Sequence, residues 1–223
     1  MHGLAHPLAA LAACVLVALS SGCSVFNKKP TVEQTMHIKT PDDQLKEWRE
    51  LAKAAPKKSP QEQQRVVAEL SKQIQQESEP RMRRQILRTL AAYPQPEAAT
   101  VIVAGLTDGD METRRVACAS MGKHGGKEAV RELTRVATSD TSPEVRLAAV
   151  RALGLTHDPS AMAPLTEALG ENDPAMQSLA HKSLVAVSGR DFGNDAKAWH
   201  DYATSGKTDA PVSIAERLKR MFY

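Results

Sequence analysis

Aromatic residues are scarce in this chain of 223 residues: two Trp, three Tyr and three Phe, against an apolar share of 42%. An interior with so few rings must be filled by aliphatic and small side chains, which suits helices packed at short range. An excess of one charge is also missing. Twenty-nine Lys and Arg face 26 Asp and Glu, leaving a net charge of +3. Nucleic-acid binders carry a clear basic excess on one face, so no nucleic-acid partner is expected. No Gly-rich loop leads into Lys-Ser/Thr, and no Gly-x-Ser-x-Gly elbow occurs. The seven His are scattered, and no His-Glu-x-x-His motif of a helical zinc site occurs. Gly122, Gly125 and Gly126 read as an inter-helix turn, where glycine ends helices at little cost. The expectation is therefore a non-enzyme with no cofactor and no metal.

The longest apolar run is Leu8–Leu19, inside a segment 1–22 that has no Lys, Arg, Asp or Glu. It is too short to span a bilayer as a helix and fits the apolar part of a secretory signal. Ser20-Ser21-Gly22-Cys23 follows. It resembles the lipobox of bacterial lipoproteins, although the usual Leu three places before the Cys is Ser20 here, with Leu19 one place further out. The resemblance implies cleavage before Cys23 and acylation of its thiol and new amine. Acyl chains contribute about 0.8 kcal/mol per buried CH₂, so several chains anchor firmly. Ser24, not Asp, follows the Cys; by the family's rule this favours the periplasmic side of the outer membrane. The expected address is thus the bacterial cell envelope. Cys14 leaves with the signal and Cys23 carries lipid, so Cys118 stays single, with no partner for an intramolecular disulfide. Its apolar helical surroundings make it a small core residue. Residues 23–40 read as the lipidated Cys and a flexible polar tether.

From residue 41 onward the pattern is helical. Thr40-Pro41 and Ser59-Pro60 each place an N-cap before a Pro at the first helical position, and Ser59 with Glu62 has capping-box spacing. Segments starting at Pro80, Met111, Pro143 and Pro174 can be laid on one another, spaced 31, 32 and 31 residues apart. A fixed period in this range marks repeat architecture. Each first helix has apolar or small residues at i, i+3, i+4, i+7 and i+8, one face of an α-helix. The clearest copy is Val145, Ala148, Ala149, Ala152 and Leu153. The second helices repeat through Ala98, Val101, Ile102, Gly105 and Leu106; Ala129, Glu132, Leu133, Val136 and Ala137; and Ala161, Pro164, Leu165, Ala168 and Leu169. The fourth copy, after a short insertion, is Asp195, Ala198, Trp199, Tyr202 and Ala203. Such pairs cannot bury their faces alone and must stack on neighbours.

Residues 141–154 (TSPEVRLAAVRALG) and 161–169 (AMAPLTEAL) resemble HEAT-like repeats of the short bacterial type. The resemblance implies an all-α fold, a right-handed α-solenoid of helix pairs over 41–205, followed by a tail at 206–223. It implies that acids six residues before the first-helix Arg, as in Asp108 with Arg114 and Asp140 with Arg146, form a ladder between repeats. In the fourth copy the pair is Glu171 and Gln177. Residues 189–199 (GRDFGNDAKAW) resemble a segment that closes such arrays. Relatives that bind iron use His-Glu pairs, and no His-Glu occurs here. Other relatives attach bilins, but nothing in this chain supplies that chemistry. The resemblance implies a protein-binding scaffold, its partner unspecified, held to a membrane through the lipid. An assembly or structural role in an envelope complex is the alternative.

The expected contact face lies on the second helices at Arg131, Glu132, Arg135, Thr166 and Glu167. Two charged stretches stay open. Arg81, Arg83, Arg84 and Arg88 read either as a solvated face with one ladder Arg or as a patch for an anionic partner. Ile214, Leu218 and Phe222, flanked by Arg217, Lys219 and Arg220, read either as a terminal cap or as a segment touching membrane or partner.

Overall fold

A computed structural model describes residues 39–205. The signal segment 1–22, Cys23, the tether up to residue 38 and the tail 206–223 lie outside the described residues. Ten α-helices follow in chain order: α1 (Pro41–Ala54), α2 (Pro60–Gln76), α3 (Pro80–Leu90), α4 (Pro96–Gly105), α5 (Met111–His124), α6 (Gly126–Ser139), α7 (Pro143–Leu155), α8 (Met162–Leu169), α9 (Pro174–Ser188) and α10 (Ala196–Ser205). They form five consecutive pairs. Thr40 and Ser59 close capping boxes with Asp43 and Glu62, each followed by Pro at the first helical position. Asp110, Ser142 and Asp173 cap later first helices through side-chain oxygens. Gly189 ends α9 in the left-handed region at φ 67°, which glycine enters without steric cost.

The odd-numbered helices form one layer, each packed directly on the next from α1 to α9. The columns read from sequence are its core: Met82, Gln85, Ile86, Thr89 and Leu90 of α3 are all buried, as are Thr113, Val116, Ala117, Ser120 and Met121 of α5. Small residues here let backbones meet. Two polar members of the columns are satisfied by the neighbouring helix, as buried polar groups usually are. The Thr89 hydroxyl donates to the Trp48 carbonyl of α1 at 3.0 Å, and Ser183 to the Val150 carbonyl of α7 at 3.1 Å. Gly122 is not in a turn, as its position beside Gly125 and Gly126 suggests. It lies inside α5 against α7, where an added Cβ would come within 2.6 Å of the Ala152 carbonyl oxygen. Gly154 repeats the device between α7 and α9: its Cβ would come within 2.8 Å of Ser183.

The arginine ladder is present, with a division of labour that spacing alone does not reveal. Arg114 donates to the Asp108 backbone carbonyl six residues earlier, while its other nitrogens reach the Asp140 carboxylate of the next repeat at 2.8 and 3.2 Å. Arg83 spans Glu77 and Asp108 in the same way. These rungs are partly shielded, so the charge-assisted pairs fix orientation between repeats. Arg83 holds the Asp108 carboxyl below the usual carboxylate range. Burial alone would raise Asp140, but Arg114 and the Ser142 amide outweigh it and lower it. Gln177 keeps the backbone half of the contact, donating to the Glu171 carbonyl at 2.7 Å, and has no guanidinium for a carboxylate.

The fourth copy departs from the second-helix pattern. Asp195 is exposed and serves as a cap, accepting from the Ala198 amide at 3.0 Å. The insertion before it folds Phe192 onto Trp199, edge to face with centroids 4.7 Å apart. The indole N–H donates to the Gly193 carbonyl at 2.8 Å. Three of the few aromatics, Phe192, Trp199 and Tyr202, thus gather where the array closes.

Candidate functional surfaces

The second helices do not copy the close packing of the first. α4, α6 and α8 lie further from one another, and a cleft of about 210 Å³ opens between α6 and α8. Thr134 and Thr138 of α6 line it, with Glu167 and Glu171 facing them. Of the five residues expected on this face, Arg131, Glu132 and Arg135 come together. The Glu132 carboxylate accepts from Arg131 and from Arg135, both at 3.1 Å. Its burial would raise its pKa, yet the two guanidiniums overcome that and lower it. Arg131 also donates to Glu128 at 3.0 Å, so two arginines and two acids pair with one another on an exposed face. Glu132 stands in a core column because its charge is neutralised at once. The Thr166 hydroxyl donates to the Met162 carbonyl of its own helix at 2.8 Å, leaving oxygen lone pairs as its free feature. Glu167 stands apart from the trio, in the cleft.

A second surface lies on the first helices and is absent from the expected set. A groove of about 240 Å³ runs over α5 between α3 and α7. Its floor holds Val116, Ala119, Ser120, Ala148 and Ala152. Its cations are Arg88, Arg115, Lys123 and Arg151, with Glu112 the one acid, a formal balance of four minus one. The four arginines of α3 divide accordingly. Arg81 pairs with Asp42 at 2.6 Å, Arg83 with Asp108 at 2.8 Å and Arg84 with Asp110 at 2.9 Å. Arg88 instead enters the groove and makes no ion pair among the described residues. Partial burial of its side chain, with Arg84 and Arg49 close by, pushes its pKa down against the opposing pull of Glu112.

Cys118 is fully buried in the core, and burial pushes its thiol up to about 12. A thiolate nucleophile is not available there. Among the described residues, no group of three or more His, Cys, Asp or Glu side chains converges as metal ligands would.

No curated protein matches the chain. Among solved structures, human deoxyhypusine hydroxylase in complex with glycerol is similar at 23% identity and a TM-score of 0.50. That likeness covers 56% of this chain and 44% of the other, so the chain spans less than half the length of that protein. At this identity the likeness concerns the fold. The family described as HEAT repeats matches residues 67–142 and 132–198, which take in α3 to α9 and most of α2. With its stacked helix pairs and its ladder, the chain belongs to the HEAT-repeat family.

Proposed function

We propose that this chain is a non-catalytic, lipid-anchored scaffold that binds a protein partner in the bacterial cell envelope. The observation that carries the binding part is the stack itself. Its continuous core is spent on joining repeats, and it leaves long polar faces on both helix layers. HEAT repeats are in general protein-interaction modules, and solenoids bind through extended surfaces. The anchoring part rests on the apolar run Leu8–Leu19 and on Ser20-Ser21-Gly22-Cys23.

Fractionation of cells that express the full chain tests the anchor. The wild type sediments with membranes, and Cys23→Ala moves it to the soluble fraction. Unchanged membrane retention of Cys23→Ala contradicts the lipid anchor.

A further inference from the structure

The groove belongs to a longer pattern. The eighth residue after the start of each first helix is Arg49 in α1, Arg88 in α3, Ala119 in α5, Arg151 in α7 and Lys182 in α9. All five are exposed. Equivalent positions on stacked helices share one face, so four cations form a stripe across the array. Its single interruption, Ala119, is part of the groove floor. Arg88 and Arg151 flank that gap from the two neighbouring helices.

Two further features favour a negative occupant of the gap. Arg88 makes no ion pair among the described residues and has the cations Arg84 and Arg49 close by, with Glu112 offsetting them only in part. Arg115 gives one nitrogen to Glu112 at 2.6 Å, but its Nε is buried with no acceptor among the described residues. An orphaned buried donor costs free energy until an acceptor arrives.

We infer that the groove over α5 binds an acidic, extended peptide segment of a partner protein, with carboxylates held by Arg88 and Arg151 and the chain lying on Ala119. Neighbouring helix axes stand about 8–10 Å apart, so the two arginines are set about 16–20 Å apart. An extended chain rises about 3.3 Å per residue, which places its carboxylates five or six residues from one another. The small floor admits a backbone, and exposed Leu155 at the rim offers an apolar contact. The chain's own ends are poor occupants on charge. Residues 206–223 carry Lys207, Arg217, Lys219 and Arg220 against Asp209 and Glu216, and residues 24–38 carry Lys28 and Lys29 against Glu33. A nucleic acid would find no ring in the groove on which to stack a base. A bilayer surface is flat on this scale and does not reach a floor between flanking helices.

This inference rests on the scaffold reading and names its site. The test uses the full chain and fluorescein-labelled peptides with two Glu-Glu pairs about five residues apart, together with their Gln counterparts. The Glu peptide binds, the Gln peptide does not, and added salt weakens the complex. The Arg88→Gln/Arg151→Gln variant weakens binding about tenfold or more, while Lys197→Gln on α10 leaves it unchanged. Both substituted positions are exposed, and circular dichroism confirms that the helices persist. Equal affinity in the double variant, or equal binding of the Gln peptide, overturns the inference. So does retention on phosphatidylglycerol vesicles that depends on Arg88 and Arg151 when the Glu peptide shows no binding. Crosslinked capture separates the two readings. A partner held equally by wild type and double variant leaves the scaffold and overturns the groove. No partner with either overturns the scaffold, and the peptide titration then decides the groove alone.

Discussion

Trp199→Ala should cost about 3–5 kcal/mol of stability, the range for removing a large buried aromatic. The loss should fall on the end of the array. Trp199 is fully buried, meets Phe192 edge to face and hydrogen-bonds the Gly193 carbonyl. The connection at 189–195 is held in place by that ring. In a stack whose repeats contact only their neighbours, damage to a terminal pair exposes the next pair without melting the whole. Hydrogen exchange by mass spectrometry is the measurement. Protection in α9 and α10 should collapse, while α5 and α7 keep most of theirs. Uniform loss of protection along the chain would mean that the closing segment is not a separate unit.

Gly122→Val should be the most damaging change within the middle of the array. Its Cβ would stand 2.6 Å from the Ala152 carbonyl oxygen and 3.0 Å from the Ala152 Cα. Both are backbone atoms of α7, so no side-chain rotation relieves the clash. Overpacking of this kind costs about 1–3 kcal/mol, and the upper end is expected because a branched side chain must push two helices apart. The same seam carries the ladder pair Arg114–Asp140. Separation of α5 from α7 therefore strains a charge pair as well. Chemical denaturation should show a lower midpoint, with the transition split between the two halves. A change below about 0.5 kcal/mol would show that the first helices do not meet at backbone distance.

Much of this architecture is legible in the chain because the determinants are local and repeated. Capping residues before Pro41 and Pro60 mark helix starts, and the period of about 31 residues aligns the buried columns of α3, α5, α7 and α9. The limits are physical too. Gly122 beside Gly125 and Gly126 looks like turn chemistry, because a sequence does not show that another helix's backbone passes over it. Asp195 falls in an apolar column after an insertion, where register is lost and its capping role takes over. The ladder acid six residues before each Arg is visible, but that residue gives its carbonyl; for Arg83 and Arg114 the carboxylate comes from the next repeat.

The functional surfaces were less legible. Arg131, Glu132 and Arg135 look like free polar groups in sequence, yet in space they pair with one another and with Glu128. The groove was missed although a signal existed: one cationic column, eight residues into each first helix, broken only at Ala119. Reading it required knowing that Arg81, Arg83 and Arg84 are committed to carboxylates and that Arg88 is not.

The central claim is that this repeat stack works by holding a protein partner, and photocrosslinking in cells tests it most directly. A photoreactive residue is placed at Ala119 on the groove floor, at Glu167 in the second-helix cleft, and at Lys197 on the closing helix. The account predicts a discrete protein adduct from Ala119 or Glu167 and none from Lys197. No adduct at Ala119 and Glu167, or the same diffuse pattern at all three positions, would contradict it.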